Sequence, residues 1–158
     1  MSVPENTVSS RPEETEAWGY RLGQGLDGGG LVLISGELGA GKSVLARGTA
    51  RGLGATGWRG SPTFALINQY STNPVLYHSD LYRLQAVEVE MLGLDECLRT
   101  DSVLLVEWPE RAEEYLRSLA AEDIVRVTID VDERERRHIT VKIESTSAAG
   151  PSRPAAPP

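Results

Sequence analysis

The chain has 158 residues, a length that fits one domain and leaves little room for two. Hydrophobic residues make up 40% of it, enough for a packed core, while the net charge is −7 and the pI about 4.9. An acidic domain repels a phosphate backbone, which argues against unaided binding of nucleic acid.

Residues 1–16 are polar and acidic and lack the apolar stretch of a signal peptide. The apolar run Leu31–Ser35 is too short to span a bilayer, so no membrane segment is expected. Cys97 is the only cysteine, which excludes an intramolecular disulfide and fits a reducing cytoplasm. It sits in a helical stretch and reads as a half-buried helix residue, not a nucleophile.

In chain order, residues 1–12 read as a mobile lead-in. Residues 13–26 carry Ala17, Trp18, Leu22 and Leu26 at helical spacing, and Asp27 to Gly30 ends that helix. Leu31-Val32-Leu33-Ile34 is a continuous apolar run, as a buried parallel strand would be. A glycine-rich loop and a helix over 44–53 follow, the helix ended by Gly54. Residues 63–70 and 75–78 are β-rich runs around Ser71-Thr72-Asn73-Pro74, a hairpin signal. Residues 86–98 read as one acidic helix, and 103–106 as a second buried strand. Pro109 suits a first helical turn, with the helix continuing to residue 119. Residues 124–131 and 138–143 read as strands around the charged turn 132–137. The Ser-, Ala- and Pro-rich residues 145–158 have almost no large apolar side chain and are expected to form a disordered tail. The domain is therefore expected over 13–144, as an α/β fold of the P-loop NTPase type. Its sheet should be mixed but mainly parallel, flanked by helices and carrying antiparallel hairpins.

Gly36-Glu37-Leu38-Gly39-Ala40-Gly41-Lys42-Ser43 matches the phosphate-binding pattern GxxxxGK[ST] in full, between an apolar strand and a helix. Glycines let backbone N–H groups turn toward phosphate oxygens, and the following helix presents its positive end to the anion. Glu37, Leu38, Gly39, Ala40, Gly41, Lys42, Ser43 and Val44 are the candidate nucleotide-binding residues. Lys42 would bridge the β- and γ-phosphates and the Ser43 hydroxyl would bind Mg²⁺. No Asn-Lys-x-Asp tetrad occurs, which favours ATP over GTP.

Such a site needs a carboxylate at a strand end. Asp80 follows the β-rich run 75–79 and Glu107 the apolar strand 103–106; with Ser43 they make up the candidate metal set, and either alone also fits a solvated strand-end acid. His78 reads as a packed strand residue. Ser61-Pro62-Thr63 is a turn on its own terms, or a switch segment closing over the γ-phosphate in a P-loop protein. Arg83 and Arg111 are candidate charge stabilisers.

These pieces together resemble the bacterial TsaE (YjeE) ATPases of tRNA threonylcarbamoyladenosine biosynthesis, over about residues 13–143. The resemblance rests on the P-loop with its inner Leu-Gly-Ala-Gly, on Ser61-Pro62-Thr63-Phe64, and on His78-Ser79-Asp80-Leu81-Tyr82-Arg83-Leu84. Leu92-Gly93-Leu94-Asp95-Glu96 and Glu107-Trp108-Pro109-Glu110-Arg111 complete it. Ser43-Val44 departs from it, since the family often has Thr-Thr there. The resemblance implies a weak ATPase using ATP, ADP and Mg²⁺. It implies as partner a TsaD–TsaB complex that modifies tRNA, so that tRNA is met only indirectly. It further implies Asp80 as the Mg²⁺ carboxylate, Glu107 as the water-orienting residue and Thr63 as a switch residue, with Lys42 also in the catalytic set. A small-molecule kinase, with 133–137 as its only lid-like segment, and a non-hydrolysing ATP-bound scaffold are the alternatives.

Overall fold

Leu31, Val32, Leu33 and Ile34 are all fully buried, because the strand that carries them has helices on both faces. The computed structural model describes residues 1–62, 66–120 and 123–145. That strand, β2 (Gly30–Gly36), lies mid-sheet, with β5 (Ser102–Glu107) and β6 (Ile124–Val131) parallel to it on either side. β4 (Val75–Asp80) extends the parallel block beyond β5. Antiparallel strands close both edges: β3 (Ile67–Tyr70) on β4, β7 (Arg137–Glu144) on β6, and β1 (Thr7–Ser9) on β7. The seven-stranded order is β1-β7-β6-β2-β5-β4-β3. The expected mixed, mainly parallel sheet with antiparallel hairpins is therefore present.

Alternation along β2 separates two cores. Val32 and Ile34 face α1 (Pro12–Gln24) and α2 (Lys42–Gly52), packing with Trp18, Leu22 and Leu45. Leu31 and Leu33 face the other layer, which holds α3 (Ala86–Glu90), α4 (Leu94–Cys97) and α5 (Glu113–Leu119) through Val89, Leu94 and Leu116.

Several expectations need correction. Residues 1–12, read as a lead-in outside the domain, contribute β1, and the Trp18 indole N–H donates to the Glu5 carbonyl at 2.8 Å. Ala17, expected on the buried stripe of α1, is exposed; Thr15, Gly19 and Gly23 take that face instead. The single helix expected over 86–98 is two short ones, because Gly93 turns left-handed at φ +71° and Val87 and Met91 stay exposed. Pro109–Arg111 is a 3-10 turn separated from α5 by Ala112 at φ −150°. Thr63 and the tail from residue 146 lie outside the described residues.

Glycines set how closely α1 and α2 approach. Gly19 and Gly23 on α1 face Gly48 and Gly52 on α2, spaced four residues apart on each helix. A Cβ on Gly19 would run into the Leu45 carbonyl oxygen, and one on Gly48 into that of Glu16. Glu16 also accepts from Arg47 and Arg51, each at 2.6 Å, tying the helices together at the edge of this contact. α1 thus seats α2, and with it the loop that precedes Lys42.

Gly48→Ala is expected to destabilise the fold by about 2–3 kcal/mol through overpacking, a melting temperature lower by roughly 5–10 °C. Gly30→Ala is the control, since its Cβ would meet nothing nearer than 3.6 Å, and it should stay within about 1 kcal/mol of the parent. Equal losses in both variants would contradict the close-approach account.

Candidate functional site

The turn from β2 into α2 is held at its base by Ala40, whose methyl is fully buried in the core under α2. Gly39 at φ +80° and Gly41 at φ +106° adopt backbone that side chains with a Cβ rarely take, and no atom lies within 4 Å of where a Gly39 Cβ would be. Gly41 is the N-cap of α2 and no side chain caps it, so the first helical N–H groups and the positive helix end are open to an anion. Lys42 opens the helix. Its ammonium donates to the Gly36 and Glu37 carbonyls, each at 2.7 Å, and lies 3.9 Å from the centre of the Trp108 ring. Burial lowers the pKa of this ammonium, opposed by the negative charges of Glu107, Glu110, Asp80 and Glu37.

Strand register gathers the acids. Glu107 pairs with Ile34 across β2 and with Asp80 across β4, so all three lie in one row near the C-terminal ends of parallel strands. Ligands collect at this edge of an open α/β sheet. Glu107 is only 1% exposed. Its Oε2 accepts from Ser43 Oγ at 2.9 Å, and its Oε1 from His78 Nε2 at 2.9 Å and Ser61 Oγ at 3.4 Å. The Ser43 and Ser61 hydroxyls also lie 2.8 Å apart. The pKa of Asp80 is raised, first by burial and then by the negative charge of Glu107, although its Oδ1 accepts the Tyr82 N–H at 3.0 Å.

An aromatic wall stands beside the acids. Trp108 has φ +59°, a strained conformation for a bulky residue, and its N–H donates to the Ile34 carbonyl at 3.2 Å. Its ring meets Tyr82 with centroids 4.8 Å apart, and the Arg111 guanidinium lies 5.8 Å over Tyr82. Loop, acids and wall enclose a cavity of about 320 Å³ that touches Leu38, Ser43, Val44, Asp80, Tyr82 and Trp108.

Lys42, Ser43, Asp80 and Glu107 therefore come together as expected. Gly39 and Gly41 line the cavity with Val44, Glu37 contributes its carbonyl to Lys42, and Ala40 offers only backbone. Thr63 lies outside the described residues. Arg83 borders a smaller cavity beside Asp80 with Pro62 and Leu66. His78, read from the sequence as a packing residue, and Ser61, read within a turn or switch, both hold Glu107. The His-x-Asp spacing was the available signal, because residues two apart on a strand share a face.

These residues fit a Mg²⁺-bound nucleoside triphosphate. Serine hydroxyl and carboxylate oxygens are hard donors that suit Mg²⁺, and a divalent cation would relieve the like charges that raise Asp80. Among the described residues no group of three or more His, Cys, Asp or Glu is placed to hold a metal. Any cation would need the oxygens of a phosphate ligand as well. No helix among the described residues is long and apolar enough to cross a membrane.

The chain is similar to known proteins in sequence and in fold. The family described as threonylcarbamoyl adenosine biosynthesis protein TsaE matches residues 9–139. The chain is 45% identical over 102 residues to the tRNA threonylcarbamoyladenosine biosynthesis protein TsaE of Synechocystis, spanning 61% of this chain and 65% of that protein. It is 40% identical to the protein so named from Bacillus subtilis, over 78% of each. For that of Treponema pallidum the identity is 36%, over 85% of this chain and 97% of the relative. The crystal structure of Bacillus subtilis YdiB superposes with a TM-score of 0.72 at 29% identity, covering 93% of this chain and 90% of that one.

The raised pKa of Asp80 has a consequence for stability. An acid whose folded pKa exceeds its unfolded value costs stability at every pH where it is ionised in the fold. Asp80→Asn keeps the acceptor for Tyr82 and removes the charge. It should raise the melting temperature of the nucleotide-free chain at neutral pH, with the gain vanishing as pH falls toward the ordinary value of 3.8. A lower melting temperature at neutral pH would contradict this.

Proposed function

The chain belongs to the TsaE family of threonylcarbamoyl adenosine biosynthesis proteins, and on that premise we propose that it is the ATP-binding, ATP-hydrolysing subunit of this tRNA modification. The observation that supports the reading is the row of Asp80 and Glu107 at adjacent strand ends, with Ser43 and Lys42 facing it from the loop. The open N-terminus of α2 and the left-handed glycines bind the phosphates. Lys42 exchanges the Gly36 and Glu37 carbonyls for phosphate oxygens. Ser43 and Asp80 hold the cation, and Mg²⁺ when bound neutralises charge on the transferring phosphoryl group. Glu107 orients the attacking water, and Trp108 and Tyr82 shield the site.

Among the described residues no arginine side chain hydrogen-bonds to the phosphate loop: the Arg111 guanidinium lies over Tyr82, and Arg83 is exposed beside a neighbouring cavity. An arginine brought into place contributes about 10³–10⁵ in kcat in related chemistry. The chain alone is accordingly a slow ATPase, and a TsaD–TsaB pair that orders one of these segments accelerates it. A kinase reading has less support. The turn 132–137 is tied to itself, since Asp132 accepts from the Arg134 and Arg136 backbone and from the His138 ring.

The test is phosphate release by the chain alone and with purified TsaD–TsaB. Slow turnover alone and faster turnover with the pair are expected. Fast turnover indifferent to the pair would contradict the partner dependence, and a phosphorylated acceptor without free phosphate would point to a kinase. Glu107→Ala should lower kcat by about a hundredfold or more while ATP affinity barely moves. Undiminished turnover in that variant would remove Glu107 from the mechanism.

A further inference from the structure

Of the three donors on the Glu107 carboxylate, Ser43 comes from the start of α2 and Ser61 from the segment after it, and their hydroxyls also lie 2.8 Å from each other. The third donor is His78. It is fully buried on β4, its Nε2 is 2.9 Å from Glu107 Oε1, and its ring stacks on Trp58 with centroids 5.0 Å apart. Its Nδ1 is buried with no hydrogen-bond partner among the described residues.

We propose that His78 is a positioning residue for Glu107: its Nε2–H pins Oε1, so that Oε2 is left directed at the Ser43 side of the site. An N–H at Nδ1 would be a buried donor without an acceptor, so the proton belongs on Nε2, where the carboxylate accepts it. A ring in that state cannot take a proton at the nitrogen facing Glu107. His78 therefore does not relay protons from the water; it fixes the carboxylate that orients it. The stack on Trp58 holds the ring plane, and Trp58 in turn stacks on Tyr70 of β3 at 5.6 Å. Groups that orient a ligand from behind commonly govern its function about as strongly as direct contacts do.

The catalytic part of this inference rests on the ATP-hydrolysis reading; the tautomer does not. In isotope-labelled, nucleotide-free protein, nitrogen NMR of His78 should show a proton on Nε2 held in a hydrogen bond to Glu107. A ring with Nε2 bare would overturn the proposal whether or not the chain hydrolyses ATP. In turnover, His78→Leu should lower kcat about tenfold to a hundredfold while leaving the KM for ATP nearly unchanged. His78→Gln, whose amide nitrogen reaches about as far as Nε2, should recover most of that loss. Full turnover in His78→Leu, or no recovery in a folded His78→Gln, would overturn the positioning role. Absence of ATP hydrolysis by the parent chain would instead remove the functional reading and leave the ring measurement to decide this one.

Discussion

Glu107 is an acid at the end of a central strand where almost no water reaches it. A carboxylate so placed is stable as an anion only if hydrogen-bond donors replace the lost solvent. The fold supplies Ser43 from the start of α2, Ser61 from the segment between α2 and β3, and His78 from the neighbouring strand. Each donor comes from a different element, so the site is assembled only when β4 and β5 are in register and α2 is seated. The seating depends in turn on the glycine contact between α1 and α2, which lets the two backbones touch.

The polar side chains of the phosphate loop already have protein partners. Lys42 uses carbonyls of its own loop and the face of Trp108, while Ser43 uses Glu107 and Ser61. Nucleotide binding as proposed would therefore exchange one set of charge-assisted contacts for another, and the net gain per contact would be smaller than the gross strength of each bond. Two features of the site are unfavourable: the half-buried Asp80 carboxyl, with Glu107 beside it, and Trp108 in left-handed backbone. Such strain concentrates where function over-determines geometry.

Much of this was legible in the sequence because its signals are local. The apolar run 31–34 marks a strand buried on both faces, the phosphate loop is a contiguous pattern, and Asp80 and Glu107 each close a strand-like run. What escaped the reading is non-local. β1 exists by pairing with β7, whose residues lie more than a hundred positions away. Residues 86–98 read as one helix, but Gly93 breaks the segment and leaves Val87 and Met91 exposed. His78 looked like packing because its partner, Glu107, is on another strand and only the parallel register of β4 with β5 brings the two together.

On the proposed reading, Lys42 exchanges its carbonyl partners for phosphate oxygens and Ser43 meets the cation, while the strand framework and the hold of His78 on Glu107 stay in place. The most direct measurement is a crystal structure of the chain with Mg²⁺ and a non-hydrolysable ATP analogue. The account predicts Lys42 Nζ off the Gly36 and Glu37 carbonyls and on phosphate oxygens, Ser43 Oγ on the cation, and His78 Nε2 still on Glu107. A nucleotide bound elsewhere, with Lys42 and Ser43 keeping their present partners, would contradict it.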